Sequence, residues 1–145
     1  MPYKFACLSS GTNLKFFKAD PSNGNLYEQL NFNAQAGFGT GAPGTPIAAC
    51  GLPNTTGSWN EYHVYYLNTS GVLQERYWTP TGGWTTGTIN SLNYVLQAST
   101  SLTAAIWTTS SGSLQIRVYG TNTSGNIAEI AWGVSSGWIL NRTVG

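Results

Sequence analysis

Short apolar stretches recur along the chain, and each is followed by two alternating segments that a polar loop joins. The stretches lie at 5–8, 47–50 and 104–107, and no segment shows a sustained helical period of apolar residues. The loops are rich in Asn, Ser and Gly, as short hairpin loops require, because Gly adopts positive φ without steric cost. A further short segment closes each unit. This pattern predicts an all-β chain with four strands in each of three repeats, 1–46, 47–94 and 95–145, which together form a single domain.

One motif is repeated three times with nearly constant spacing. It consists of a basic residue, a glutamate 12 or 13 positions later, and a Gly-aromatic pair a further 8 or 9 positions on. The chain has only five acidic residues, and three of them occupy this glutamate position. Most of the acidic residues therefore occur at one repeated position of the chain. The copies are Lys15, Glu28 and Gly37-Phe38; His63, Glu75 and Gly83-Trp84; and Arg117, Glu129 and Gly137-Trp138.

The hairpin loops predict how the two charged positions of each repeat are paired. We place the loop centres at Thr69 in the second repeat, at Thr123 in the third, and between Pro21 and Ser22 in the first. Residues equidistant from a loop centre face each other across a hairpin. The basic residue and the glutamate are therefore predicted to be direct cross-strand neighbours on the same sheet face. The predicted pairs are Lys15 with Glu28, His63 with Glu75, and Arg117 with Glu129.

Two architectures fit three repeats of four strands. The first is three blades of a β-propeller, which two chains complete to a six-bladed ring without exposed sheet edges. The second is a β-trefoil, which closes as a monomer. Apolar residues occupy both alternating sets of positions, with Ile116 and Val118 on one face and Tyr119 and Ile127 on the other. Sheets that are buried on both faces favour stacked blades, so the propeller is the preferred prediction.

Composition and charge exclude several functions. Charged residues make up 8% of the chain and the net charge is +1, so there is no basic field for nucleic acid, and no apolar run predicts membrane insertion. The N-terminus lacks the apolar core of a signal peptide, which predicts a cytoplasmic or unconventionally secreted protein.

One histidine and two cysteines do not form a usual zinc site, and no phosphate-binding loop is present, so no cofactor is expected. Each motif glutamate faces a base rather than a second acid, which argues against a glycosidase and for a non-catalytic protein.

The ordered set of motif residues resembles the fucose-binding lectins of the Aleuria aurantia type, whose short bacterial relatives assemble a six-bladed propeller from several chains. The resemblance covers the whole chain and is clearest in the third repeat. It includes Ile116-Arg117-Val118-Tyr119, Ile127-Ala128-Glu129, Trp132 and Gly137-Trp138; Val64-Tyr65-Tyr66, Leu73-Gln74-Glu75, Trp78 and Gly83-Trp84; and Leu26-Tyr27-Glu28 with Gly37-Phe38.

The resemblance implies a multivalent lectin that binds L-fucose or fucosylated glycans and agglutinates glycoconjugates. In that family the Arg and Glu of one blade hydrogen-bond the sugar, and tryptophans of the following blade pack against its apolar face. Carried over to this chain, the resemblance implies three sites per chain. They are Lys15 and Glu28 with Trp78 and Trp84; His63 and Glu75 with Trp132 and Trp138; and Arg117 and Glu129 with Asn31 and Phe38 of the partner subunit in a homodimer.

Lys15 and His63 depart from the arginine of the family pattern. Lys15 supplies a point charge instead of a planar fork, and His63 predicts a site sensitive to pH near the ordinary histidine pKa of about 6.5. Glu61 and Arg76 lie outside the recurring positions and are predicted to be surface residues.

Other interpretations of the same residues remain open. The charged pairs also fit structural salt bridges, and the tryptophans also fit packing between blades. The alternatives for the whole chain are a β-trefoil lectin for galactose or GalNAc and a protein-interaction propeller without sugar binding.

Overall fold

Residues 2–31 and 34–145, which the computed structural model describes, form twelve β-strands in three antiparallel sheets. Blade one spans residues 4–40, blade two residues 47–86 and blade three residues 103–144, and the four strands of each sheet follow chain order. No helix among these residues is long and apolar enough to cross a membrane. The strands are β1 Lys4–Ser10, β2 Asn13–Ala19, β3 Asn25–Asn31, β4 Ala34–Thr40, β5 Ile47–Pro53, β6 Trp59–Leu67, β7 Leu73–Thr79, β8 Gly83–Thr86, β9 Thr103–Thr108, β10 Leu114–Thr121, β11 Ile127–Gly133 and β12 Gly137–Val144, with a short 3-10 helix at Thr88–Ser91.

The three sheets stack face to face in chain order. The first strands of successive blades lie side by side, because β5 contacts both β1 and β9. Repeated four-stranded sheets around shared inner strands are the arrangement of a β-propeller. The prediction of three propeller blades is therefore confirmed, and the trefoil alternative is wrong for this chain.

Two apolar layers hold the blades together, and both use the central blade. In β6, Tyr62 and Val64 point towards blade one, whereas Tyr65 and Leu67 point towards blade three, because successive strand residues face opposite sides. All four side chains are buried. Burial of a large apolar side chain contributes about 1.5–3 kcal/mol, so the two layers account for most of the favourable packing. Blade two is thus buried on both faces, as the alternating apolar pattern predicts.

Blades one and three each keep one open face in the single chain. Ile116 and Val118 of blade three are buried against blade two, but Ile127, on the other face of the blade, is more than half exposed. On the open face of blade one, Phe5 stacks on Phe16 with ring centroids 5.6 Å apart, and Leu14 is 64% exposed. Exposed apolar side chains therefore occur on both outer faces.

The predicted hairpin register is wrong by two residues. Asn68 and Val72 close the second hairpin, since the Asn68 N–H donates to the Val72 carbonyl at 3.0 Å. The Asn68 side-chain oxygen also accepts the N–H groups of Ser70 and Val72. The loop is therefore centred on Ser70 and not on Thr69, because the closing Gly71, at φ 75°, lies inside the turn and not at its end. The other two hairpins shift in the same sense.

The register shift changes which residues face the motif glutamates. Phe17 lies opposite Glu28, Tyr65 opposite Glu75, and Tyr119 opposite Glu129. The predicted direct pairing of Lys15, His63 and Arg117 with these glutamates is corrected accordingly. A shift of two residues leaves every side chain on its original face, so each basic residue becomes a diagonal neighbour of its glutamate.

The Gly-aromatic pair of the first repeat is not a structural copy of the other two. Trp84 pairs with Trp78, three residues after the glutamate of β7. Gly37 instead pairs with Tyr27, which precedes the glutamate of β3, because β4 returns after only two residues and runs past that glutamate. Phe38 is consequently buried inside the chain, so the predicted position of Phe38 in a site shared with a second chain is wrong.

Candidate functional site

The first site lies where blade one meets blade two. Lys15 and Glu28 form an ion pair, and the Tyr62 hydroxyl donates to Glu28 at 3.4 Å. The Lys15 ammonium lies 5.3 Å from the centre of the Tyr62 ring and 6.0 Å from that of Trp78, within the range of cation–π attraction. The predicted partners Lys15, Glu28 and Trp78 are therefore brought together.

Trp84 belongs to the aromatic cluster that packs beside the first site. It stacks on Phe38 with centroids 4.2 Å apart and planes 11° apart, and it meets Phe17 and Tyr62 edge-on. Tyr62 in turn stacks on Trp78 at 4.9 Å. This continuous aromatic cluster fixes both indoles beside the charged pair. Trp84 therefore packs between the blades and is connected to the charged pair through Tyr62.

The second site is an open cleft between blades two and three, with a volume of about 330 Å³. Blade two supplies the polar side, and the Leu114 and Ile116 side chains of β10 join two indoles on the apolar side. All four residues predicted for this site line the cleft, together with five that the sequence interpretation did not assign to it. The lining includes His63, Glu75, Trp132 and Trp138, and also Glu61 and Tyr77.

His63 lies between two carboxylates in this cleft. Its Nδ1 is 2.8 Å from Glu75 Oε1, and its Nε2 is 3.6 Å from Glu61 Oε2. Burial alone disfavours the imidazolium, but the interactions with Glu61 and Glu75 outweigh it and raise the pKa of His63 to about 8. The expected titration near 6.5 is therefore corrected upwards. Nε2 is buried and has no hydrogen-bond partner among the described residues.

Glu75 is positioned by groups that lie outside its own strand, β7. The Tyr65 hydroxyl donates to Oε1 at 2.7 Å, and burial raises the pKa of Tyr65 well above its ordinary value, so this hydroxyl keeps its proton. Asn90, in the 3-10 helix, accepts the Glu75 backbone N–H at 2.7 Å. Gly87 leaves room for the carboxylate, because a Cβ at that position would lie 1.8 Å from Oε2. The carboxylate is therefore fixed in the cleft.

The third site lies on the open face of blade three and has no second blade within this chain. Arg117 Nε lies 3.9 Å from Glu129 Oε1, and the Arg117 guanidinium lies 5.2 Å from the centre of the Trp107 ring. The Tyr119 hydroxyl donates to Glu129 at 2.6 Å, and Arg142 lies 3.1 Å from the same carboxylate. These groups form half of a site.

Hydrogen bonds to the carboxylate lower the pKa of Glu129. The Tyr119 hydroxyl has the largest effect, and Asn141 and Arg142 add to it. Among the predicted partners of this site, Phe38 is buried elsewhere, and the side chain of Asn31 lies outside the described residues. The chain itself therefore supplies only the charged wall.

Sequence reasoning missed the tyrosines and Glu61. A Tyr two positions after the basic residue recurs in the second and third repeats as Tyr65 and Tyr119, and this spacing is the signal that could have identified them. Tyr62 lies on the neighbouring blade, and no spacing within one repeat indicates its contact with Glu28. The prediction that Glu61 is a surface residue is wrong, because it lines the second cleft beside His63.

The fold and these sites define a β-propeller that carries charged and aromatic side chains in the grooves between its blades. The family model described as fungal fucose-specific lectin matches residues 16–144. The chain therefore belongs to this family.

Relatives and solved structures agree with this assignment. A fucose-specific lectin of Aspergillus oryzae is 27% identical over 146 residues, which cover 97% of this chain but 44% of the relative. The chain thus spans less than half the length of that relative. The structure of SapL1 lectin in complex with alpha methyl fucoside aligns with a TM-score of 0.78 and 26% identity, over 99% of this chain and 47% of that one.

Two further structures share the fold at lower identity. The six-bladed β-propeller of the Aleuria aurantia lectin aligns with a TM-score of 0.75 and 22% identity, over 99% of this chain and 49% of that one. A fucose lectin from Kordia zhangzhouensis, in complex with methyl-fucoside, aligns with a TM-score of 0.71 and 21% identity. That match covers 97% of this chain and 99% of the other, so a chain of three blades also occurs elsewhere in this fold.

Proposed function

We propose that this chain is a non-catalytic lectin that binds L-fucose or fucosylated glycans in the grooves between its blades. The observation that carries the proposal is the second cleft, where His63 and Glu75 of one blade face Trp132 and Trp138 of the next. Membership of the fungal fucose-specific lectin family supports the choice of sugar.

Each wall of the cleft suits a different part of a deoxy sugar. The Glu75 carboxylate can accept hydrogen bonds from neighbouring hydroxyls, and the His63 side chain lines the same space. The indoles of Trp132 and Trp138 cover C–H groups and a methyl group, and so remove apolar surface from water. The first site repeats this chemistry with Lys15 and Glu28. Single sites bind small polar ligands weakly, so useful affinity comes from several sites acting together on one glycan surface.

Binding to an immobilised fucosylated glycoconjugate, measured by surface plasmon resonance, tests the choice of ligand. We expect saturable binding that free L-fucose abolishes and that galactose and GalNAc leave unchanged. If free galactose or GalNAc abolished the binding instead, the site would be assigned to that sugar. Absence of binding to any of these glycans would favour a protein-interaction propeller and contradict the proposal.

We further propose that two chains complete a six-bladed propeller and that each third site is shared between them. Leu14 precedes Lys15, as Tyr62 precedes His63 and Ile116 precedes Arg117. Tyr62 and Ile116 both face the site of the preceding blade. By this equivalence, Leu14 of the partner subunit faces the Arg117 and Glu129 half-site, which explains why Leu14 is exposed in the single chain.

Size-exclusion chromatography with light scattering tests the dimer. We expect twice the chain mass of 15.5 kDa for the unmodified protein and 15.5 kDa for Leu14→Asp. Val134→Asp is the matched control, because Val134 has the same 64% exposure but lies in the turn between β11 and β12. A monomeric unmodified protein, or a dimer that Leu14→Asp leaves intact, would contradict this interface.

The sites are proposed to bind sugar without cleaving it. A glycosidase needs one carboxyl that carries a proton for the leaving group. In the second cleft Glu61 and Glu75 both face one imidazole, so the proton of this cluster resides on His63. We expect no nitrophenol release from p-nitrophenyl α-L-fucoside, and measurable turnover that Glu75→Gln abolishes would contradict this expectation.

A further inference from the structure

The three sites differ most in the basic residue that faces the cleft. Blade three carries Arg117, whose guanidinium donates hydrogen bonds at any accessible pH, whereas blade two carries a histidine. In the second cleft His63 Nδ1 lies 2.8 Å from Glu75 Oε1, so Nδ1 carries a proton in order to donate to that carboxylate. The remaining question is whether Nε2 carries a proton and is a donor, or lacks one and is an acceptor.

The protonation of Nε2 reverses its hydrogen-bonding role. With a proton, Nε2 is a donor that suits an oxygen that only accepts, such as the ring oxygen of a pyranose. Without a proton, Nε2 is itself an acceptor and turns a lone pair towards Glu61 Oε2, 3.6 Å away. The neutral ring therefore cannot replace arginine at this position, but the imidazolium can.

Glu61 is the group that distinguishes this cleft from the other two. It lies two residues before His63 on β6, where the corresponding positions of β2 and β10 hold the uncharged Asn13 and Gln115. Its carboxylate lines the cleft on the Nε2 side of the ring, opposite Glu75. An imidazolium with a carboxylate on each side is favoured over the neutral ring.

The remaining groups around His63 do not supply a competing charge. Tyr77 of β7 stacks on the ring at 5.4 Å and Tyr65 of β6 lies at 6.4 Å. Cys50 of β5 pairs with His63, and burial raises the pKa of its thiol, which stays neutral. Blade three contributes uncharged side chains only, namely Leu114, Ile116, Trp132 and Trp138.

We propose that Glu61 is a positioning residue that, together with Glu75, clamps His63 as an imidazolium, and that the cleft between blades two and three binds sugar only in this protonated form. The inference rests on the proposed lectin function, which it deepens. The clamp makes the second site sensitive to proton concentration, while the first and third sites have Lys15 and Arg117 in place of the histidine.

His63 is the only histidine in the chain, so its titration is directly observable by NMR. We expect a midpoint near pH 8 in the unmodified protein, because the two carboxylates outweigh the opposing effect of burial. Glu61→Gln should lower the midpoint by about one unit, the low end of the effect of an opposite charge at this range. Asp20→Asn, in the exposed loop of the first hairpin, is the matched control and should leave it unchanged. A midpoint at or below about 6.5, or one that Glu61→Gln does not move, overturns the clamp.

The ligand step is tested by calorimetric titration with methyl α-L-fucoside at pH 6 and pH 9.5. We expect one site per chain to disappear at the higher pH in the unmodified protein and to persist in His63→Arg, which supplies a permanent donor. Equal stoichiometry at both pH values in the unmodified protein overturns the protonation requirement. Absence of heat at both pH values overturns the lectin proposal together with this ligand step, whereas the NMR titration still decides the clamp.

Discussion

The hydrogen bond from the Tyr65 hydroxyl to Glu75 provides a sharp test of how the second site is built. Both side chains are buried, and the donor–acceptor distance is 2.7 Å. Tyr65→Phe keeps the ring and removes only the hydroxyl. The carboxylate then retains His63 but loses its second side-chain partner.

The expected cost follows from the charge and burial of the acceptor. A hydrogen bond to a charged group contributes about 1.5–3 kcal/mol, more than a bond between neutral groups. The first site shows the same position with Phe17, and there the Tyr62 hydroxyl of the next blade reaches Glu28. In the second site the equivalent of Tyr62 is Ile116, which cannot donate. We therefore expect Tyr65→Phe to lower the free energy of unfolding by about 2 kcal/mol.

Urea denaturation at pH 6, followed by tryptophan fluorescence, measures this loss. Tyr66→Phe is the matched control, because Tyr66 is the next residue of β6, is also buried, and has no hydrogen bond to its hydroxyl among the described residues. We expect the control to change stability by less than about 0.5 kcal/mol. Equal losses for the two variants would refute the reasoning, because the cost would then reflect packing and not the bond to Glu75.

Three further predictions follow from single contacts. The pKa of His63 is about 8 in the folded protein and about 6.5 when free, so its stabilisation is complete below pH 6.5 and is lost as pH rises through 8. This difference in pKa corresponds to about 2 kcal/mol in the free energy of unfolding, which urea denaturation at pH 6 and pH 9.5 should detect. A loss of the same size between these pH values in His63→Gln would refute the assignment of the effect to His63. Gly87→Ala should displace the Glu75 carboxylate and remove one site per chain in calorimetry, and an unchanged stoichiometry would count against the role of this glycine. Asn68→Ala removes an acceptor of two loop N–H groups and should cost about 1–2 kcal/mol in thermal unfolding, with no measurable change as the contrary result.

The repeat, the strand count and the blade architecture could be predicted from the sequence because they depend on local patterns. Alternating apolar residues and Asn/Gly loops specify hairpins, and apolar residues on both faces specify stacked sheets. The register could not be placed correctly by loop symmetry alone. The Asn68 side-chain oxygen accepts the backbone N–H groups of Ser70 and Val72. Gly71 therefore lies inside the turn, and the loop centre lies one residue later than predicted.

The site could be predicted only as far as one repeat encodes it. The grouping of His63 and Glu75 with Trp132 and Trp138 is correct, because adjacent repeats bring their motif faces together. Phe38 was misplaced because β4 begins six residues after Glu28, whereas β8 begins eight residues after Glu75, and a motif defined by spacing does not record where the strands begin. Glu61 has no counterpart in the other repeats, so its place in the cleft depends on the stacking of blades and not on the repeat.

Calorimetric titration of the unmodified protein with methyl α-L-fucoside at pH 6 tests the central claim most directly. Saturable heat with one to three sites per chain, reduced by one in Glu75→Gln, is the predicted result, because the chain presents three charged half-sites to neighbouring blades. No heat at millimolar sugar would contradict the account of these grooves as fucose-binding sites.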